Sequence, residues 1–201
     1  MKRTIKTTKR GILMVALMVT SLSFANNSPS LFNIKNGTNN VWITFNLVEI
    51  GEKLSIKDIN GSVLYNETIE KKGVYNKGFD LTSLPDGAYA FELDKDIKIS
   101  IIPFSVKSGL VKFYKEKETT IFKPILRRKN NFVYLTKLAL NNEPLTVKIY
   151  FTASNNKQLM LYKKIEGTKT IGKAFKLTGI NKGSYTFVME SNGRIFTEVI
   201  N

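Results

Sequence analysis

FDLTSLPDGAYAF at residues 79–91 recurs 96 residues downstream, without a gap, as FKLTGINKGSYTF at residues 175–187. In each copy a strand ends in a short connection that carries one apolar plug, Leu84 or Ile180. Gly87 or Gly183 then permits a tight turn. Tyr89 and Phe91, or Tyr185 and Phe187, return along the next strand on one face. These six residues are the expected structural turn and core positions of two related units.

Outward from this repeat the pattern is one of short alternating runs bounded by Asn, Gly, Asp and Pro, with no sustained helical period. Val41, Ile43, Phe45 and Leu47 alternate with Trp42, Thr44 and Asn46. Leu54 and Ile56 precede Asp58-Ile59-Asn60-Gly61, whose Asn-Gly pair signals a hairpin because both residues tolerate positive φ. The run from Ile97 to Val106 contains Pro103, which favours an edge or a bulge there. The second half repeats the order with Leu145, Val147, Ile149 and Phe151, a turn at Asn155-Asn156, then Leu159, Leu161 and Ile165.

Each half therefore offers roughly seven short strands, the number expected of an immunoglobulin- or fibronectin-like sandwich. The expected fold class is all-β: tandem immunoglobulin/fibronectin-like antiparallel β-sandwiches behind an N-terminal signal peptide. The expected division is 1–25 signal, 26–109 first sandwich and 110–201 second, with the boundary between 107 and 117. In that reading Leu110–Tyr114 extends or leaves the first unit, Thr119–Leu126 opens the second, and Arg127–Asn131 turns into Phe132–Leu140. One larger sandwich built from both halves is the alternative.

The N-terminus has three zones. Lys2, Arg3, Lys6, Lys9 and Arg10 form a basic head, Gly11 to Leu22 is mostly apolar, and Ser23-Phe24-Ala25 is a small-residue site. This is the form of a secretory signal cleaved after Ala25, so the mature chain is expected in the periplasm or outside a bacterial cell. The apolar run is too short to span a bilayer comfortably, and no transmembrane span is expected in the mature chain. The mature chain carries 26 Lys plus Arg against 16 Asp plus Glu and no Cys. Export and the even spread of Lys argue against nucleic acid as a partner. The densest basic zone includes Lys112, Lys115, Arg127 and Arg128. Those four are candidate contacts for an anionic cell-surface polymer or a protein reached by long-range attraction.

His is absent, so histidine-based acid–base work, Ser-His-Asp or Cys-His nucleophiles and the usual zinc sites are excluded. Paired carboxylates could still hydrolyse glycosides. Asp58, however, reads as a turn residue, Glu67 and Glu70 as exposed strand positions, and Asp94 and Asp96 as a hairpin tip. No phosphate loop, dinucleotide fingerprint or calcium loop is present, and no cofactor is expected. Trp42 runs out of phase with Val41, Ile43 and Phe45 and is expected to face outward, which makes it the best single candidate for a binding or docking contact.

Leu177, Ile180, Gly183, Tyr185, Phe187, Glu190, Asn192-Gly193 and the final strand Arg194–Ile200 follow a recognisable order. In this order the last third resembles the C-terminal sorting modules of proteins exported by the type IX secretion system of Bacteroidetes, and residues 50–106 echo it. The resemblance implies bacterial export and a small β-sandwich. It departs from the family pattern at Asn142-Glu143-Pro144, where a Pro-Asn-Pro segment is usual, and at Thr197–Asn201, where lysines are usual. The expected function is a non-enzymatic secreted or periplasmic interaction or structural module of the envelope, capable of self-association. The alternatives are a carbohydrate-binding or adhesive module, or a passenger sorted by type IX secretion.

Overall fold

The computed structural model describes residues 32–36, 40–154, 156–179 and 182–201, so the export stretch and the Ile180 plug lie outside the described residues. The first half contains β1 (Phe32–Asn36), β2 (Val41–Val48), β3 (Lys53–Asp58), β4 (Val63–Thr68), β5 (Gly73–Phe79), β6 (Gly87–Asp94) and β7 (Lys98–Lys107). They form two antiparallel sheets, β1-β2-β5 and β4-β3-β6-β7. The second half uses β10 (Ile125–Lys129), β11 (Phe132–Leu138), β12 (Leu145–Ala153), β13 (Asn156–Ile165), β14 (Thr170–Lys176), β15 (Ser184–Ser191) and β16 (Arg194–Ile200). Its sheets are β10-β11-β14 and β13-β12-β15-β16, so the strand order of the first half is repeated.

Alternation explains the cores. Val41, Ile43 and Phe45 from one sheet meet Leu54, Ile56, Phe91 and Phe104 from the other in one buried cluster. Val133, Leu135 and Ile171 meet Val147, Ile149, Phe187 and Met189 in a second cluster. The 96-residue repeat places the same aromatic pair in each. Phe79 and Phe91 lie edge-to-face at 5.1 Å and 67°, and Phe175 and Phe187 at 5.8 Å and 64°. This all-β, multi-sheet antiparallel architecture is consistent with an immunoglobulin- or fibronectin-like sandwich.

Both copies of the Gly-x-Tyr segment work through their tyrosines. The Tyr89 hydroxyl donates to the Pro85 carbonyl at 2.7 Å, and that of Tyr185 donates to the Thr178 carbonyl. Each bond ties the connection to the strand that follows it, as tyrosine corners do in sandwich folds. The glycines serve close approach rather than positive φ. A Cβ on Gly87 would sit 3.3 Å from the Tyr89 hydroxyl, whereas one on Gly183 would overlap the Thr152 carbonyl oxygen. In the second copy the left-handed position is Gly179, at φ 77°.

Four expectations need correction. Leu47 is 75% exposed with φ 57°, because the β2–β5 register shifts between Phe45 and Val48 and Val48 takes the inward place. Thr119–Phe122 (β9) does not open the second half. It pairs with β7 through Lys98↔Phe122 to Ile101↔Thr119, while Leu110–Phe113 (β8) pairs with the other end of β7. Arg127–Lys129 is strand rather than turn, and the turn itself is Asn130-Asn131, with Asn130 at φ 54°. Pro103 marks neither an edge nor a bulge of β7. Its carbonyl accepts from the Tyr114 amide at 3.0 Å. Because the N and C=O of a strand residue share a side, its missing N–H faces the break between β8 and β9.

Candidate functional site

Trp42 lies on the outer face of β2, 46% exposed, opposite Lys35 on β1 and Gly78 on β5. Its indole lies so close over Gly78 that a Cβ there would meet the ring at 3.2 Å. The basic candidates fall on two different sheets. Lys112 is on β8 and Lys115 in the 3-10 turn Lys115–Lys117 that follows it. Lys112 Nζ lies 5.4 Å and Lys117 Nζ 5.0 Å from the Tyr114 ring centroid, a partial pairing of charge with an aromatic face. Arg127 is on β10 opposite Tyr134. Arg128 points the other way, donating to the carbonyls of Asn130, at 3.0 Å, and Asn201.

Asp58 is a turn residue. Its carboxylate accepts from the amides of Asn60 at 2.9 Å and Ser62 at 2.8 Å, and these bonds, that from Ser62 foremost, hold it below the ordinary carboxylate range. Glu67 is not the exposed strand position expected. It is half-buried and accepts from Lys77 Nζ at 2.6 Å, from Tyr75 at 3.0 Å and from Tyr65. Lys77, then Tyr65, lower its pKa, while burial pushes the Tyr75 phenol up. Since β4 and β5 are edge strands of opposite sheets, this cluster staples the open side of the first half. Among the described residues no cluster of acidic, His or Cys side chains could hold a metal.

A polar groove of about 570 Å³ runs across the outer face of the β4-β3-β6-β7 sheet, bounded by Arg194, Ile195 and Phe196 of the second half. Glu92, on its floor, is 6% exposed. It accepts from Lys57 at 2.6 Å and from Arg194 across the halves. At the groove's edge Lys123 pairs with Asp94. Glu92 escapes sequence reasoning because it reads as an ordinary outward residue of β6; its cover comes from 102 residues away. Every acid here has a cation partner, so the groove's chemistry is that of a structural junction.

The two halves differ at equivalent edges. The outer edge of β7 is occupied by β8 and β9 along both ends. The equivalent β16 pairs with β15 and with no other strand among the described residues. Ile195 and Val199 on it are 68% and 56% exposed. The β15–β16 turn is Asn192-Gly193, with both φ values positive, the geometry of a two-residue type I′ hairpin. In such a hairpin Ser191 and Arg194 form the hydrogen-bonded pair, and bonded and non-bonded pairs alternate from there. Ile195, Thr197 and Val199 therefore turn their N–H and C=O groups away from β15, toward the open edge.

Residues 36–106 match the family described as "Secretion system C-terminal sorting domain". The match falls on the first of the two repeats, whereas the resemblance in residue order is carried mainly by the second. Among curated proteins no relative is significantly similar in sequence. Two solved structures are similar at 9% identity: the human OSCAR ligand-binding domain, with TM-score 0.25, covering 84% of this chain and 95% of that one, and the chicken CNTN1 FN1-FN3 domains, with TM-score 0.24, covering 84% and 65%. No helix among the described residues is long and apolar enough to cross a membrane.

Proposed function

We propose that this chain is an exported, non-enzymatic interaction module of a bacterial envelope, built as tandem immunoglobulin/fibronectin-like sandwiches. The first sandwich runs through β9 and the second begins at β10, with Lys123-Pro124 as the joint. Partners dock by adding a strand to β16. The likeness of residues 36–106 to a secretion-system sorting domain supports an extracellular or periplasmic location. The observation that carries the reading is the edge contrast: β7 has its outer edge covered, and β16, beyond the Arg194–Phe196 stretch that bounds the groove, presents the outward N–H and C=O groups of Thr197 and Val199 beside the exposed Val199 side chain.

The simplest partner is β16 of a second copy, paired antiparallel. Sedimentation velocity over a wide concentration range tests this. The mature chain is expected to shift from monomer to dimer, and Thr197→Pro to remain monomeric with an unchanged melting temperature. Proline at 197 removes an outward N–H and leaves the β15 ladder intact. A wild type that stays monomeric at every concentration, or a Thr197→Pro chain that still dimerises, overturns strand addition at β16 by a second copy.

A further inference from the structure

The outer face of the β10-β11-β14 sheet belongs to neither the groove nor the β16 edge. Along β11 the inward places go to Val133, Leu135 and Lys137, so Phe132, Tyr134, Thr136 and Leu138 face out. Cross-strand partners share a face, which puts Arg127 and Ala174 on either side of Tyr134, and Lys129 and Lys176 on either side of Phe132. Phe132 and Tyr134 are both exposed, with ring centroids 6.3 Å apart. The three strands contain no acidic residue. Its Thr136–Leu138 end borders a small apolar cavity with Ile97 and Phe122 of the first half.

The first half carries the same device at the same place in its sheet order. Trp42 sits on the central strand between a cation, Lys35, and a small residue, Gly78, as Tyr134 sits between Arg127 and Ala174. Gly78 leaves room for the Trp42 ring, and in each case the cation lies one strand away. β1, β2 and β5 also contain no acidic residue. A core needs neither feature, since both lie on the side away from it.

We infer that these two faces bind an acidic polysaccharide, the exposed rings stacking on the sugars and the flanking cations meeting their carboxylates. A sugar ring presents an apolar face of C–H groups and a polar rim, which matches an exposed aromatic with a polar surround. A carboxylate on the sugar uses Arg127, Lys129, Lys176 and Lys35, for which none of these strands supplies an acidic partner. Two such faces on one chain make binding to a long polymer bivalent. This goes beyond strand addition at β16 and uses different residues.

Polygalacturonate is the probe, with uncharged dextran and inorganic polyphosphate as controls, against the full mature chain. Affinity electrophoresis is expected to show retardation by polygalacturonate alone, weakened by added salt. Tyr134→Ala and Arg127→Ala are each expected to weaken it about fivefold to tenfold, while Tyr134→Phe keeps it. The chain's single Trp makes the first face directly readable, so polygalacturonate is expected to shield Trp42 fluorescence from acrylamide. Equal binding to polyphosphate reduces the faces to bare charge and overturns the inference, as does equal binding to dextran or none to any polymer. Full binding by a folded Tyr134→Ala, Trp42→Ala double variant also overturns it.

Discussion

The two halves share one strand order and differ in how they close their margins. The first half covers the β7 edge with β8 and β9 and staples β4 to β5 through Glu67, Tyr65, Tyr75 and Lys77. The second half leaves β16 open among the described residues, and the exposed Leu159, Met160 and Tyr162 sit on its edge strand β13. A repeated core thus fixes the topology, while the margins are free to diverge. Solvent-exposed backbone and apolar side chains concentrate where a partner can use them. The family match falls on the more closed copy and the open edge on the other.

The sharpest way to break the comparison is at the paired glycines. Gly183→Ala forces a Cβ into the Thr152 carbonyl oxygen and to 2.9 Å from the Phe151 ring, and backbone cannot step aside as a side-chain tip can. A loss of about 3 kcal/mol is expected, confined to the second half. Gly87→Ala meets only the end of the Tyr89 side chain, and its cost is expected below about 1 kcal/mol. Urea unfolding followed by far-UV circular dichroism reads both halves, and Trp42 fluorescence reads the first alone. Equal losses in the two variants would mean that the turns are closer equivalents than their surroundings indicate.

Acid separates the halves next. Glu67 has its pKa lowered in the folded state, so its stabilisation is present above the ordinary glutamate value and lost as pH falls through the lowered one. Glu198 on β16 has its pKa raised by burial, so its penalty is present at neutral pH and relieved as pH falls through the raised value. Glu118, after the 3-10 turn, is raised by burial too and acts in the same sense as Glu198. Lowering the pH from neutral should first steady both halves, through Glu118 in the first and Glu198 in the second, and then, below about pH 4.3, weaken the first alone. Each change is about 1 kcal/mol or less, because all three carboxylates are partly solvated. Glu67→Gln should remove the acid-side loss from the Trp42-reported melt, and Glu198→Gln should abolish the gain in the second half. A Trp42-reported melt with the same acid dependence in Glu67→Gln would show that the staple is not what closes the first half.

Much of this is legible in residue order, and the exceptions have physical reasons. Alternation says which face a side chain takes, and Val41, Ile43 and Phe45 turn inward with Trp42 outward accordingly. It does not say which strand lies alongside, so Thr119–Phe122 reads equally well as the start of one sheet or the end of another. The bulge at Leu47 has no local signal, because nothing about leucine favours positive φ and the register shift is imposed by β5. Glu67 looks exposed until β4 and β5 become opposing edges, which is a property of the finished sandwich. Arg127 meets Tyr134 from the neighbouring strand, and Lys129 and Lys176 meet Phe132 from either side, so residue order shows a basic zone but not the aromatic side chains it flanks.

The finest distinction concerns what joins the halves. Arg194 begins β16 and reaches Glu92 on β6, yet Glu92 also keeps Lys57 at 2.6 Å. Removing Arg194 therefore leaves the buried carboxylate with a partner, and Arg194→Ala should lower stability by less than about 1 kcal/mol. Its effect is expected on geometry instead, as a larger radius of gyration by small-angle X-ray scattering, with both cores intact by circular dichroism. Lys57→Ala is the control: it disturbs the same carboxylate from within the first half and should leave the radius unchanged. If Arg194→Ala leaves it unchanged as well, the groove walls around Ile99, Ile195 and Phe196 hold the halves together, and the ion pair only neutralises a carboxylate that the junction has covered.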